Sequence, residues 1–352
     1  MKKLSQTIGE LGLIEQIRRD FTYKNKALTL GIGDDCAILR PPSGCEVVVT
    51  TDFTLEGRHF HRDLHPPESV GHRCLARGLS DLAAMGATPL AAFLSLALPS
   101  SMLTEASGRA WTARFFDGLR ALSELHGVPL AGGDTAESPG GKGGMVLADI
   151  VLIGSVPRGE ALRRGGASAG DALYVTGQLG GAAAELSRML GGRRRIASVK
   201  VTEGHPQLFP EPRLDVGEAL LRRGLATACI DISDGLSTDL GHLCQASALC
   251  AEIEQAALPI HLLALKLGAK TALDATLNGG EDYELLFAAA AAVKMPSSLA
   301  GVPITRIGSL LPRRTGRPMM TLFTPDGRRE ELKSGGWEHF SKTVRTPKKT
   351  SR

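Results

Sequence analysis

The sequence returns six times to one local pattern, an acidic side chain beside Gly, Ser or Thr where an apolar run ends. The stretches are GIGDDC (Asp34, Asp35), VTTDF (Asp52), GLSDLAAMGA (Asp81), AGGDT (Asp134), DISDG (Asp231, Asp234) and GGEDYE (Glu281, Asp282, Glu284). Taken singly, each reads as a turn, because Asp bonds its own backbone and Gly reaches positive φ. Six together, several with doubled acids, ask more of the fold. Carboxylates gathered at the ends of neighbouring strands repel by roughly 4 kcal/mol per pair at 4 Å and moderate effective dielectric. A cation must sit among them. Hard divalent ions take oxygen ligands, and Mg²⁺ in particular completes its shell with substrate phosphates. The glycines then let backbone N–H groups approach phosphate oxygens closely.

With 352 residues the chain is long enough for two domains, each with its own core. Its 42 glycines against 4% aromatics point to tight turns over small aliphatic cores, which suits α/β layers better than an all-β sandwich. An N-terminal helix with Leu11, Ile14 and Ile17 on one face precedes strands in ALTLGIGDD and EVVVTTDF. A helix over ESVGHRCLARGLSDLAAMGA closed by Gly86, a strand PLAAFLSLALP, a helix over ASGRAWTARFFDGLRALSELHG and strands VPLAGGDTA and GMVLADIVLIGSVP follow. The second half alternates again: a strand, glycine turn and helix in GDALYVTGQLGGAAAELSRML, then helix, strand, acidic turn and helix from EPRLDV to LCQAS. Strands in AEIEQAALPI, EDYELLFAA, PITRIGSLLP and MMTLFTPDG close it. The alternation predicts α/β or α+β layers in both halves, with a first domain over 1–155, a second over 156–340 and a disordered basic tail over 341–352.

Several function classes are excluded. The last twelve residues hold Lys342, Arg345, Lys348, Lys349 and Arg352 and no acid, more than the whole formal surplus of +4, so the body carries no basic stripe for nucleic acid. The run GGRRRIASVK reads as a surface loop, and no aromatics interleave the charges as stacking platforms. No apolar run is long enough to span a bilayer, and Glu10 and Glu15 interrupt any leader-like apolar segment, so a cytoplasmic protein is expected. Cys36, Cys45, Cys74, Cys229, Cys244 and Cys250 show no paired spacing and read as reduced thiols. Zinc spacing is absent, which leaves His59, His61 and His65 as a polar loop. GLSDL lacks the second glycine of a nucleophile elbow, and SPGGKGG lacks the first Gly and the final Ser or Thr of a phosphate-binding P-loop.

The motifs GIGDDCAIL, TTDFTLEGRHF, LSDLAAMGATP, GGDT, YVTGQLG, ISDGLSTDLGH and GGEDYELLF, in this order and spacing, resemble the thiamine-monophosphate kinases within the aminoimidazole ribonucleotide synthetase-like superfamily. The likeness runs from about residue 5 to about residue 340. It implies transfer of the γ-phosphoryl of ATP to thiamine monophosphate with several Mg²⁺ ions and no general base. It also implies a homodimer built by pairing N-terminal sheets, and a C-terminal domain that closes over the nucleotide. By resemblance, Asp35, Thr50, Thr51, Asp52, Asp81, Asp134, Asp231 and Asp234 are the metal-binding set; Gly133, Asp134, Arg164 and Ser233 contact ATP; and His59, Glu281 and Trp337 face thiamine monophosphate. Trp337 could stack on the thiamine or anchor the C-terminus as a core aromatic, and Arg163 adjoins Arg164 within one register step. Asp282 and Glu284 are left to cap or orient their turn, and Ala136 stands where the family often has a second Thr.

Two rival readings share the fold. Sister enzymes, such as selenophosphate synthetases and the hydrogenase-maturation dehydratases, resemble patterns with a reactive Cys in an N-terminal glycine-rich loop or a C-terminal tail, and no Cys precedes Cys36 or follows Cys250 here. An inert Mg–nucleotide sensor would have lost acids from the cluster, which is intact.

Overall fold

The computed structural model of the chain describes residues 9–192, 204–338 and 340. The tail over 341–352 and most of the GGRRRIASVK run lie outside the described residues.

The first half contains α1 (Glu10–Asp20), β1 (Leu28–Leu30), β2 (Ile38–Leu39), β3 (Cys45–Leu55), α2 (Pro67–Ala84), β4 (Thr88–Leu98), α3 (Ser101–Thr104), α4 (Ala106–Leu125), β5 (Leu130–Glu137) and β6 (Leu147–Pro157). β3, β6, β4 and β5 form a four-stranded sheet in that order, antiparallel except for β4–β5. The β3–β6 ladder runs unbroken from Cys45↔Pro157 to Leu55↔Leu147, so alternate β3 residues have fixed faces. Val48, Thr50, Asp52 and Thr54 point toward α2, whereas Val47, Val49, Thr51 and Phe53 stand on the exposed face. In α1 the buried stripe is Leu13 and Ile17, and Leu11 is exposed, so the face expected from Leu11 is rotated: the helix starts only at Glu10 and i, i+4 spacing selects Leu13.

The second half contains β7 (Ala172–Thr176), α5 (Gly181–Gly192), α6 (Leu214–Arg222), β8 (Ala228–Ile232), α7 (Leu236–Ala246), β9 (Leu249–Glu254), α8 (Leu262–Leu265), α9 (Ala269–Asn278), β10 (Glu284–Ala289), β11 (Ser298–Leu299), β12 (Val302–Pro312), β13 (Met320–Phe323) and β14 (Arg329–Glu331). The sheet order is β14-β13-β9-β12-β7-β10-β8 with β11 paired to β12, and only β13–β9 is parallel. Of the two layerings open from sequence, this is α+β. Helices α8 and α9 fill the stretch HLLALKLGAKTALDATLN, between the segments expected as strands.

Helix α2 is buried almost all round, from Pro67 to Ala84. It lies on the first sheet, against α4 and α6, and against β8 and β10 of the second domain. Glycines make this closeness feasible: a Cβ on Gly71 would stand 1.8 Å from the carbonyl of Phe115, and one on Gly118 would stand 1.9 Å from that of Glu68. The apolar cluster around α2 (Val70, Leu75, Leu79, Leu82) continues into Cys229, Leu285 and Phe287 of the second domain. A separate cluster, under α7, fills the other side of that domain's sheet. One helix therefore carries its side chains into the seam between the domains.

Candidate active site

Where α2 meets the second domain there is a cavity of about 410 Å³. Asp52, Arg77 and Asp81 wall it on one side, and Asp231, Ser233, Asp234, Glu281, Tyr283 and Trp337 on the other. Thr51, Arg58 and His59 complete the first wall. Three sequence-distant acids converge there from different elements: Asp52 from β3, Asp81 from the last turn of α2 and Asp231 from β8. Thr50 Oγ1 donates to Asp81 Oδ2. Ser80 Oγ donates to Asp231 Oδ2 at 2.8 Å across the domain seam.

Burial, with Asp81 as a further cause, pushes the Asp52 carboxyl up to about 6, although Arg77 pulls the other way. Burial and then Asp81 raise Asp231 to about 7, against the hydrogen bond from Ser80. Asp239 Oδ2 accepts the backbone N–H groups of Ser233, Asp234 and Gly235, each at 3.1 Å, and shapes the turn after β8; burial and the charges of Asp231 and Asp234 raise it to about 8. The charged forms of these acids are thus underfed with positive charge. Arg77 reaches Asp52 at 3.3 Å and Glu281 at 3.4 Å.

Glu281 shows the opposite balance. Burial opposes its ionisation, yet Arg73, Arg77 and Gln207 outweigh it and hold the carboxyl below the usual range. Arg73 Nη2 and Gln207 Nε2 donate to its two oxygens, the latter at 2.8 Å. Glu281 and Tyr283 both take φ values in the left-handed region, 69° and 51°, pinned by their N–H groups donating to Ser233 and Ile232 carbonyls. Non-glycine residues there are strained and persist where surroundings over-determine them.

Two family models cover most of the chain: AIR synthase related protein, N-terminal domain, matches residues 33–156, and AIR synthase related protein, C-terminal domain, matches 168–313. The thiamine-monophosphate kinase of Escherichia coli (strain K12) is 38% identical over 340 residues, covering 95% of this chain and 98% of its own. The chain belongs to the thiamine-monophosphate kinase family. Within that family, the crystal structure of the Stenotrophomonas maltophilia K279a enzyme superposes with a TM-score of 0.76 at 36% identity, covering 92% of this chain and 98% of that one. AaThiL complexed with AMPPCP and TMP superposes with a TM-score of 0.70 at 29% identity, covering 97% and 100%.

Against this family background, the structure divides the expected site residues into groups. Thr51, Asp52, His59, Asp81, Asp231, Ser233, Asp234, Glu281 and Trp337 line the seam cavity, and Thr50 adjoins it through Asp81. Asp35, Gly133 and Asp134 instead line a second cavity, of about 670 Å³, beside β5 at the other edge of the first sheet. Strands β6 and β4 lie between β3 and β5, a separation of about 14 Å at ordinary strand spacing. Gly133 has φ +147 and lies so close to β4 that a Cβ would meet the Leu94 carbonyl at 1.9 Å. Arg164 is exposed and lines neither cavity, though its charge acts on Asp231. Trp337 is half-exposed at the cavity mouth, which excludes the core-anchor alternative.

The acidic-turn pattern needs correction at Asp52, Asp134 and Asp231, which lie inside strands because the ladders continue through the residues that suggested turns, whereas Asp81 stands in the helix expected over its segment. Asp282 caps, but not its own turn: its carboxylate accepts from the N–H groups of Gly180 at 2.6 Å and Ala182 at 3.1 Å, at the start of α5. Glu284 takes a two-pronged ion pair from Arg213 at 2.7 and 2.6 Å. Arg73 and Arg77 were missed, although HRCLARGLSD places Arg73, Arg77 and Asp81 four residues apart on one helix face. Arg58, Tyr283 and Asp239 stand inside the quoted motifs and carried no signal beyond that membership.

Proposed function

We propose that the protein transfers the γ-phosphoryl of ATP to the phosphate of thiamine monophosphate, giving thiamine diphosphate and ADP, by in-line transfer. The observation that carries this reading is the seam cavity itself, where Asp52, Asp81 and His59 on one wall face Asp231, Glu281 and Trp337 on the other, across a space closed by both domains. The family's own members bear that activity in their names, and one was solved with AMPPCP and TMP.

The donor set fits Mg²⁺. Asp52 and Asp231 are raised toward neutral pH largely by burial and by Asp81, and Arg77 is the cation that contacts Asp52. Hard oxygen donors short of positive charge are what a divalent ion requires. Asp52, Asp81, Asp231, Asp234 and the hydroxyl of Thr50 would hold ions here, with Thr51 at the β3 edge of this cavity and Asp35 and Asp134 at the second one. When bound, the ions neutralise the β- and γ-phosphate oxygens as transfer proceeds. The chain's residues do the rest. The acceptor phosphate is largely ionised at neutral pH and needs no base; Arg77 and Glu281 fix the charge pattern around it; Trp337 offers a ring face to the thiamine; and Gly133, Asp134, Arg164 and Ser233 would contact ATP. Positioning two anions in line is the main task.

We extend the reading to a homodimer and a reducing, cytoplasmic setting. The exposed sheet face with Val47, Val49 and Phe53 supports the first, and six unpaired cysteines support the second. No helix among the described residues is long and apolar enough to cross a membrane.

The deciding experiment incubates protein with ATP, MgCl₂ and thiamine monophosphate and reads thiamine diphosphate as its thiochrome, with Asp52→Asn in parallel. Mg-dependent product from the wild type and almost none from the variant is expected. Product from both rejects the metal role of Asp52, and product from neither, with ATP still bound, rejects the kinase reading in favour of a sister enzyme or an inert nucleotide sensor.

A further inference from the structure

The exposed face of the first sheet carries an acid inside an otherwise apolar strand, Asp149 in LADIVLIGSV of β6. It is half-buried. Thr51 Oγ1 donates to Asp149 Oδ1 at 2.7 Å. In register, Asp149 stands opposite Ser95 of β4, and Ser95 stands opposite Asp134 of β5. Directly paired residues share a face, so Thr51, Asp149 and Asp134 lie along one face of the sheet, with Asp149 about 10 Å from Asp134 at two strand spacings.

A threonine hydroxyl has one proton and two lone pairs. A proton committed to a carboxylate leaves the lone pairs for a cation, and the charge-assisted bond makes the oxygen a better donor than a hydroxyl bonded to water. Thr50, on the opposite face, has the same arrangement with Asp81. The parallel is chemical: each adjacent threonine gives its proton to an acid on a neighbouring element.

We propose that Asp149 is a positioning residue for the cation that Thr51 would hold at the β3 edge of the seam cavity, fixing the rotamer and polarity of Thr51 so that its lone pairs, and not its proton, are offered to that ion. This rests on the metal reading above. Partners that orient ligands in this way affect metal affinity by about 10- to 100-fold when removed. Asp149 acts through Thr51, so its contribution disappears when Thr51 cannot donate.

The test compares wild type, Asp149→Ala, Asp149→Asn, Thr51→Val and the Thr51→Val/Asp149→Ala double variant. Two readouts are taken against Mg²⁺ concentration: the rise in melting temperature without nucleotide, and the rate of thiamine diphosphate formation. The half-saturating Mg²⁺ concentration is expected to rise about 10-fold or more in Asp149→Ala. It should rise less in Asp149→Asn, whose amide oxygen still accepts the hydroxyl proton. The double variant should match Thr51→Val alone. An unchanged Mg²⁺ requirement in Asp149→Ala, or a full additional loss when it is added to Thr51→Val, overturns the proposal. Should Asp149→Ala not fold, Asp149→Val, which suits a strand and cannot accept the hydroxyl proton, carries the comparison, and wild-type Mg²⁺ dependence there overturns it equally. A wild-type melting temperature indifferent to Mg²⁺ overturns the metal reading and this inference together, whereas the thiochrome assay judges the kinase reading separately.

Discussion

Arg77 spans two carboxylates from different domains, Asp52 at 3.3 Å and Glu281 at 3.4 Å, with little exposure to solvent. Removing one member of such a group leaves buried charge uncompensated, which costs about 3–5 kcal/mol. Arg77→Met is therefore expected to lose about 3 kcal/mol in urea unfolding at pH 8 and less at pH 5, where Asp52 takes up a proton; an equal loss at both pH values would refute the coupling to Asp52. The acids themselves give a pH signature. Asp52 at about 6 and Asp231 at about 7 both lie above the ordinary 3.8, so the folded state binds extra protons. That contribution is full below about pH 4 and is lost as pH rises through 6 to 7. Melting temperature without Mg²⁺ should fall across that window, and less so in Asp231→Asn. Mg²⁺ binds the ionised forms, so the rise it causes should be larger at pH 8 than at pH 5.5; the reverse order would exclude these carboxylates as ligands.

Helix α2 is the element on which the site depends. Its Arg73 and Arg77 hold Glu281, its Ser80 holds Asp231 and its Asp81 faces Asp52, while its opposite side packs on α4 through Gly71 and Gly118. A Cβ at Gly118 would collide with backbone, so the helices must separate. Overpacking of this kind costs about 1–3 kcal/mol, and Gly118→Ala should lower the melting temperature by several degrees. It should also reduce turnover, because the displaced helix carries two charged cavity residues, Arg77 and Asp81, with it. Loss of stability with full activity would show that the site tolerates movement of α2. At the start of α5, Asp282→Ala removes two backbone hydrogen bonds and should cost about 1 kcal/mol.

In the whole molecule the outstanding surface is the first sheet's open face, where Val47, Val49 and Phe53 are exposed on alternate positions of edge strand β3. Wild type is expected to sediment as two chains at micromolar concentration, and Val49→Asp as one; a wild-type monomer would refute the pairing. Much of this protein is legible in its residues. The β3, β4, α4, β5 and β6 segments follow from period-2 and period-3.6 patterns of apolar residues, and α2 from its helical spacing and closing glycine even though it is buried almost all round. The acids of the site are legible too, since carboxylates beside glycine at the end of apolar runs need compensation wherever they meet. Their grouping is not. Asp52, Asp81 and Asp231 are drawn together only because α2 is clamped between two sheets, while Asp134 is carried to the other edge by strand order. Nor do the residues reveal that Arg77 serves two domains or that Thr51 and Thr50 face opposite ways toward Asp149 and Asp81. Sequence determines which residues can carry charge, turn or pack, because those are local properties of side chain and backbone. Which charges meet, and therefore which are short of a cation, is decided by long-range packing and strand register, which exist only in the tertiary structure.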